Sequence, residues 1–309
     1  MASDPGKTSA AESGALRRFL LEAQPLRGQW VRLGAAWEEL RARRSYPPVV
    51  EALLGEAATA VVLLTATLKF SGTLTLQFTG NGRVRLLVAQ CTDDFQLRAV
   101  AHHDLAMGEV ADFAELMGTG RLAVTVQPDA SVAQYQGIVP LEGANLGQCL
   151  ERYFESSEQL PTRLMLAADA TRAGGMLLQK LPGGAAGGEG AGALLQTAWE
   201  DLQRGLDALS PEVLLEATAE EAVRRVSGVH DCRLFGVTPV RFGCRCSDAR
   251  VAGLVRSLGL DEARAALAEL GALTVTCEFC GRDYRYDSVD IEQLFAADGP
   301  VQHSPGRYN

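Results

Sequence analysis

The 309-residue chain predicts an α+β protein: a sheet-rich N-terminal core domain with packed helices, then a helical linker, then a small C-terminal domain built on four cysteines. Three observations carry this. A long apolar segment at 47–68 is followed by segments of period two. A glycine-rich stretch at 183–192 precedes leucine stripes of helical spacing. Cys244-Arg245-Cys246 is separated by thirty residues from Cys277-Glu278-Phe279-Cys280.

Residues 1–14 are small and polar, so a disordered tail is expected there and the fold is expected to start near Leu16. Pro47-Pro48 opens a helix through Leu54, Ala58, Val61, Leu64 and Leu68, apolar around most of its circumference and therefore buried. From Gly72 polar and apolar residues alternate through Phe78, and Val84 to Val88 returns as a second strand. Gly80-Asn81-Gly82 between them is expected to supply positive φ to the hairpin turn. Arg98–His102 is a third strand, and Leu122–Val126 with Tyr135–Val139 a second hairpin. Asn145 starts a helix that ends before Pro161, and Leu164–Ala167 and Gly175–Gln179 are two further strands.

The core domain is thus expected over 15–182, a flexible loop over 183–192 and a helical linker over 193–243. In the linker Leu194, Leu195, Ala198, Leu202, Leu206 and Leu209 form one stripe, and Ser210-Pro211 is an N-cap followed by proline at the first helical position. That stripe is either ordinary packing on the first domain or a face covered only under some conditions. The cysteine domain is expected over 244–296, with helices at Asp248–Leu258 and Asp261–Leu270, a hairpin carrying Cys277 and Cys280, a closing helix at Val289–Phe295, and a tail at 297–309.

A formal net charge of -9 argues against a nucleic-acid partner, and Cys244 to Asn309 has 7 Arg and no Lys against 10 Asp and Glu. Met1–Arg27 has no apolar run long enough for a signal-peptide core, and Ala57–Leu68 is too short and too rich in Thr to cross a bilayer, so a cytoplasmic protein without a membrane partner is expected. His102, His103, His230 and His303 lack metalloprotease spacing, and no nucleophile elbow or phosphate-binding loop is present, so no enzyme is expected.

In a reducing cytosol, paired cysteines are more often metal ligands or redox groups than permanent disulfides. Cys244, Cys246, Cys277 and Cys280 are therefore predicted to hold one zinc ion per chain, since a domain of this size with few apolar residues folds poorly without a staple. The same four sulfurs can also pair as two disulfides. A single residue between Cys244 and Cys246 lets one thiol resolve a sulfenic acid formed on the other, which a purely structural site does not need. Cys91 and Cys149 have no partner spacing and are expected to be buried and inert; nothing requires a role for Cys232.

With these residues in place, the chain resembles the Hsp33 family of redox-regulated chaperones over nearly its whole length. Leu64-Thr65-Ala66-Thr67-Leu68-Lys69-Phe70, Tyr135-Gln136-Gly137, Tyr153-Phe154 with Ser157 to Arg163, and Gly174 to Gln179 look like its core motifs, and the two cysteine pairs look like its switch. The resemblance implies a homodimeric, ATP-independent holdase for unfolding client proteins, inactive while reduced and zinc-bound. Oxidation would form Cys244–Cys246 and Cys277–Cys280 disulfides, release zinc, and unfold the linker. Two other readings compete: a constitutive zinc ribbon that docks a protein partner, and a thiol-disulfide oxidoreductase using Cys277 and Cys280. The second lacks a thioredoxin-like βαβ context and leaves Cys244 and Cys246 unexplained.

Overall fold

The computed structural model describes residues 14–104, 112–129, 134–182 and 190–296. The tails expected at 1–14 and 297–309, apart from Gly14, lie outside them, as does 183–189 of the expected loop. The chain forms two compact units, Met1–Gly243 and Cys244–Asn309.

The first unit contains two sheets. One runs β10 (Cys232–Leu234), β1 (Ala15–Leu21), β2 (Leu26–Arg32), β9 (Ala173–Lys180), β8 (Thr162–Ala168), with the two-residue β11 (Thr238–Pro239) also on β1. The other runs β12 (Arg241–Phe242), β5 (Gln96–His103), β4 (Val84–Thr92), β3 (Gly72–Gly80), β6 (Gly120–Pro128), β7 (Tyr135–Pro140). After the short helix α1 (Ala35–Arg43), the apolar segment at 47–68 is helix α2 (Pro48–Thr65), which packs against strands of both sheets. It has the length and apolarity of a membrane span, but most of it is buried inside the protein, and it is the core helix. Leu54, Val61 and Leu63 are wholly enclosed, and burying each such side chain contributes about 1.5–3 kcal/mol.

The first sheet is covered on both faces. Successive residues of a strand point to opposite sides, so Val31 and Leu177 enter the cluster around α2 while Trp30, Met176 and Leu178 enter a second cluster. That second cluster is roofed by α5 (Ala191–Asp207), α6 (Pro211–Glu216) and α7 (Ala219–Ser227). Two-sided burial explains why β9 reads as a continuous apolar run. The linker stripe is therefore packed from Leu195 to Leu209, whereas Leu194 is exposed, and the helices belong to the first compact unit, so the glycine-rich stretch does not separate two units. Helix α5 also begins inside the expected loop, at Ala191 after the positive-φ Gly190.

Between β3 and β4 the glycines serve a different purpose from the one expected. Positive φ is found at neither Gly80 nor Gly82. Both lie under the turn that follows α3 (Phe113–Met117): a Cβ on Gly80 would come 2.0 Å from the Met117 carbonyl oxygen, and one on Gly82 2.6 Å from the Gly118 nitrogen. Close backbone approach demands glycine there. Asn145 caps α4 (Leu146–Tyr153) by accepting from the Gln148 N–H, as its sequence position predicts, and a π-helical turn, Phe154–Glu158, extends α4.

The second unit consists of α8 (Asp248–Leu258), α9 (Leu260–Leu270), the hairpin β13 (Leu273–Thr276) and β14 (Asp283–Tyr286), and α10 (Ser288–Ala296). Its core is small, with Val255, Ala263 and Ile291 as the cluster's buried residues.

Candidate metal centre

The thirty residues between the cysteine pairs fold back so that both pairs meet. Ser247, next to Cys246, caps α8 by accepting from the Arg250 N–H, and the Arg250 guanidinium donates to the Arg245 carbonyl at 2.7 Å. This fixes the backbone carrying Cys244 and Cys246. Cys277 and Cys280 occupy the loop of the β13–β14 hairpin, whose last pair is Thr276 with Asp283. The Thr276 hydroxyl donates to Asp283 at 2.6 Å, the Gly281 N–H to the Cys277 carbonyl at 2.8 Å and the Cys277 N–H to the Arg282 carbonyl at 2.9 Å. Gly281 has φ 69°, the left-handed conformation that the loop needs for its turn.

The four sulfurs lie within 4.8 Å of one another, and all four cysteines are partly buried and outside any disulfide. Two contacts cross between the pairs: Cys244 to Cys277 at 3.6 Å and Cys246 to Cys280 at 3.4 Å. A disulfide needs about 2.05 Å. Four sulfurs around one metal at about 2.3 Å stand about 3.8 Å apart, which matches this spacing.

Electrostatics point the same way. Burial pushes the Cys280 thiol up to about 12 against the stabilising Arg282 backbone N–H, and the other three thiols add to the rise. Four thiolates gathered this closely repel one another unless a cation neutralises them. The Cys246 sulfur, the hydrogen-bonding neighbour of the Tyr284 hydroxyl, pushes that phenol up to about 12. The residues present fit a closed, all-sulfur metal site.

The remaining cysteines stand apart. Cys91 in β4 and Cys149 in α4 are wholly buried, and burial pushes their thiols up to about 12 and about 11. Cys232, half-buried at the start of β10, is also raised by burial. His102 and His103 lie in β5, and His230 pairs with Asp201 at 2.9 Å; His303 lies outside the described residues. Strand-by-strand reading missed the sheet face under the linker helices, formed by Phe19, Trp30, Met176 and Leu178. The two-sided apolar run of β9 was the available signal.

A family model described as Hsp33 protein matches residues 14–287. A 33 kDa chaperonin of Nitrosococcus oceani is 41% identical over 282 residues, covering 91% of this chain and 93% of the relative. One from Pseudomonas paraeruginosa is 41% identical over 300 residues, covering 96% and 100%. The crystal structure of a 33 kDa chaperonin, an Hsp33 homologue from Thermotoga maritima, superposes with a TM-score of 0.78 at 23% identity, over 92% of this chain and 99% of that one, and establishes the likeness of fold. On the family model and the two sequence relatives, this chain belongs to the Hsp33 family of chaperones.

Proposed function

We propose that this chaperone is an ATP-independent holdase switched on by oxidation of Cys244, Cys246, Cys277 and Cys280, and that zinc is the metal they hold when reduced. An all-sulfur, tetrahedral donor set suits zinc. When bound, the ion keeps the four sulfurs as thiolates and supplies on the order of 10 kcal/mol toward folding of the small unit.

One observation carries the reading. Four thiols outside any disulfide converge within 4.8 Å inside a unit whose cluster has three buried apolar side chains, a core small enough to need a metal staple. In the switch, a thiolate attacks a peroxide oxygen and releases hydroxide, giving a sulfenic acid. The neighbouring thiolate attacks that sulfur and expels a second hydroxide. Each peroxide is reduced by two electrons as one disulfide forms, so two peroxides convert the site into Cys244–Cys246 and Cys277–Cys280 and leave the metal no thiolate ligand.

The chain continuity supports a route to the linker. Arg241 and Phe242, one residue short of Cys244, pair with Gln96 and Leu97 through only two residues of β12, and β10 and β11 hold the preceding segment to β1. Loss of order in the second unit frees the C-terminal anchor of this short clamp. Opening of α5–α7 would then uncover Phe19, Trp30, Met176 and Leu178, an apolar face able to hold unfolding clients. Homodimerisation, a cytoplasmic location and the lack of a nucleic-acid or membrane partner belong to the same proposal.

Peptide mapping of the peroxide-treated chain tests it, with Cys277→Ser/Cys280→Ser as the comparison. The expected result is the two adjacent-pair disulfides and client protection in the native sequence, and no oxidative activation in the double variant. Normal activation of that variant would sink the proposal.

A further inference from the structure

Far along the chain from the cysteines, the segments resembling the family's core motifs converge on one cavity of about 560 Å³ in the first unit. The end of α2 and the residues after it contribute Leu68, Lys69 and Phe70; β7 contributes Tyr135; the π-helical turn contributes Phe154 and Glu158; β9 contributes Gln179. Nothing in the cysteine switch uses this site.

Its chemistry is two-part. Leu68, Phe70, Val126, Phe154, Leu160 and Leu181 give it an apolar wall. One polar corner is the carboxylate of Glu158: the Tyr135 and Tyr153 hydroxyls each donate to the same Glu158 oxygen at 3.0 Å, which fixes the turn and holds that carboxylate in place. The other polar corner is Arg27. Its Nε and Nη2 donate to the Gln179 side-chain oxygen at 2.9 and 2.6 Å, and the wholly buried Gln179 is itself held by donating to Thr162 at 3.1 Å. The guanidinium is half-buried, and among the described residues no carboxylate stands within ion-pairing distance of it. Burial and the nearby Arg18 make its charge costly. The exposed Lys69 at the rim adds a second positive charge.

A preformed apolar cavity of this size with one oriented, uncompensated cation is built for an anion carrying an apolar tail. We propose that it binds an apolar monocarboxylate, with the carboxylate on Arg27 and the tail along Leu68, Phe70 and Phe154. Such chemistry reaches the protein as a free fatty acid or as the C-terminal carboxylate of an apolar peptide.

Isothermal titration of the full-length, reduced, zinc-loaded protein tests this with decanoate, decanol, decyltrimethylammonium, and an acetylated Leu-Leu-Val peptide as free acid and as amide. Decanoate is expected to bind at least about tenfold more tightly than decanol, with the ammonium weakest, since a buried charge-assisted pair is worth about 1.5–3 kcal/mol. Arg27→Gln should remove that preference. Leu68→Glu, at an exposed rim position, should weaken decanoate binding about tenfold through like-charge repulsion while the melting temperature stays put. If the peptide acid binds and decanoate does not, the carboxylate chemistry stands and the ligand is a peptide terminus. Equal binding of decanoate and decanol, binding of none of the five, or a decanoate affinity unmoved in both variants would each overturn the proposal. Every readout is binding, so failure here leaves the oxidation switch untouched, and failure of the switch leaves this site standing.

Discussion

The Cys246 and Cys280 sulfurs lie 3.4 Å apart although 34 residues separate them, and Cys244 and Cys277 repeat the relationship at 3.6 Å. Each of these contacts thus joins the start of the second unit to its β13–β14 hairpin, whereas the proposed oxidised pairs would each lie within one of those segments. Reduction and oxidation tie different parts of the chain together.

Metal removal from the reduced protein should accordingly disorder the second unit first. With a chelator, limited proteolysis is expected to open sites within 244–296 and then in the loosened helices α5–α7, while α2 and the strands packed on it, which form a hydrophobic cluster of their own, stay resistant. Cleavage within α2 as early as within 244–296 would contradict this order.

Gly205→Ala probes the linker. A Cβ at Gly205 would stand 2.3 Å from the Val226 carbonyl oxygen, a backbone atom of α7 that cannot swing away. Alanine gains about 1 kcal/mol in helix propensity, but overpacking of this kind costs about 1–3 kcal/mol. The net effect should loosen α5 from α7 and lower the peroxide dose or temperature needed for client protection; an unchanged threshold would separate the linker from activation.

Glu56 should give the first unit a pH dependence. Burial raises its carboxyl to about 7, and no ion-pair partner stands near it among the described residues. The folded state therefore holds its proton more tightly than the unfolded one. The contribution is fully present below about pH 4.5 and is lost as pH rises through about 7. Some solvent still reaches the side chain, so the effect should fall below the roughly 3 kcal/mol that the full shift would give. Denaturant melts should show a stability decline from pH 5 to pH 7.5 that Glu56→Gln flattens; an equal slope in the variant would refute the assignment.

Cys91 and Cys149 should resist alkylation. With thiols pushed to about 12 and about 11 and both side chains wholly buried, iodoacetamide at neutral pH is expected to leave them unmodified in the chelated protein, where their surroundings stay folded, while labelling the four clustered cysteines of the disordered second unit. Mass spectrometry of the digest would read this directly, and rapid labelling of Cys91 would contradict its enclosure in the core.

Where burial followed a simple period, the sequence was readable: the largely apolar α2 and the alternation of β3 each led to the right element, and the cysteine spacing to the four sulfurs that converge. β1 and β2 were not readable, because Arg17, Arg18, Arg27 and Arg32 interrupt their apolar pattern. Tertiary partners accommodate these arginines: Arg17 reaches Glu220, and Arg32 donates to the Ala217 carbonyl. β11 and β12, two residues each, exist only through their neighbours. The corner formed by Arg27 and Gln179 joins residues 152 positions apart, a distance over which no local pattern extends.

The central claim is that oxidation of the four clustered cysteines turns the chaperone on. Light scattering of a thermally unfolding client, with this chain added either reduced and zinc-loaded or peroxide-treated, and with a chelating dye following zinc, tests it most directly. Suppression of aggregation by the oxidised, zinc-free form alone is the expected result. Equal suppression by both forms would contradict the switch and leave the cysteines a structural role.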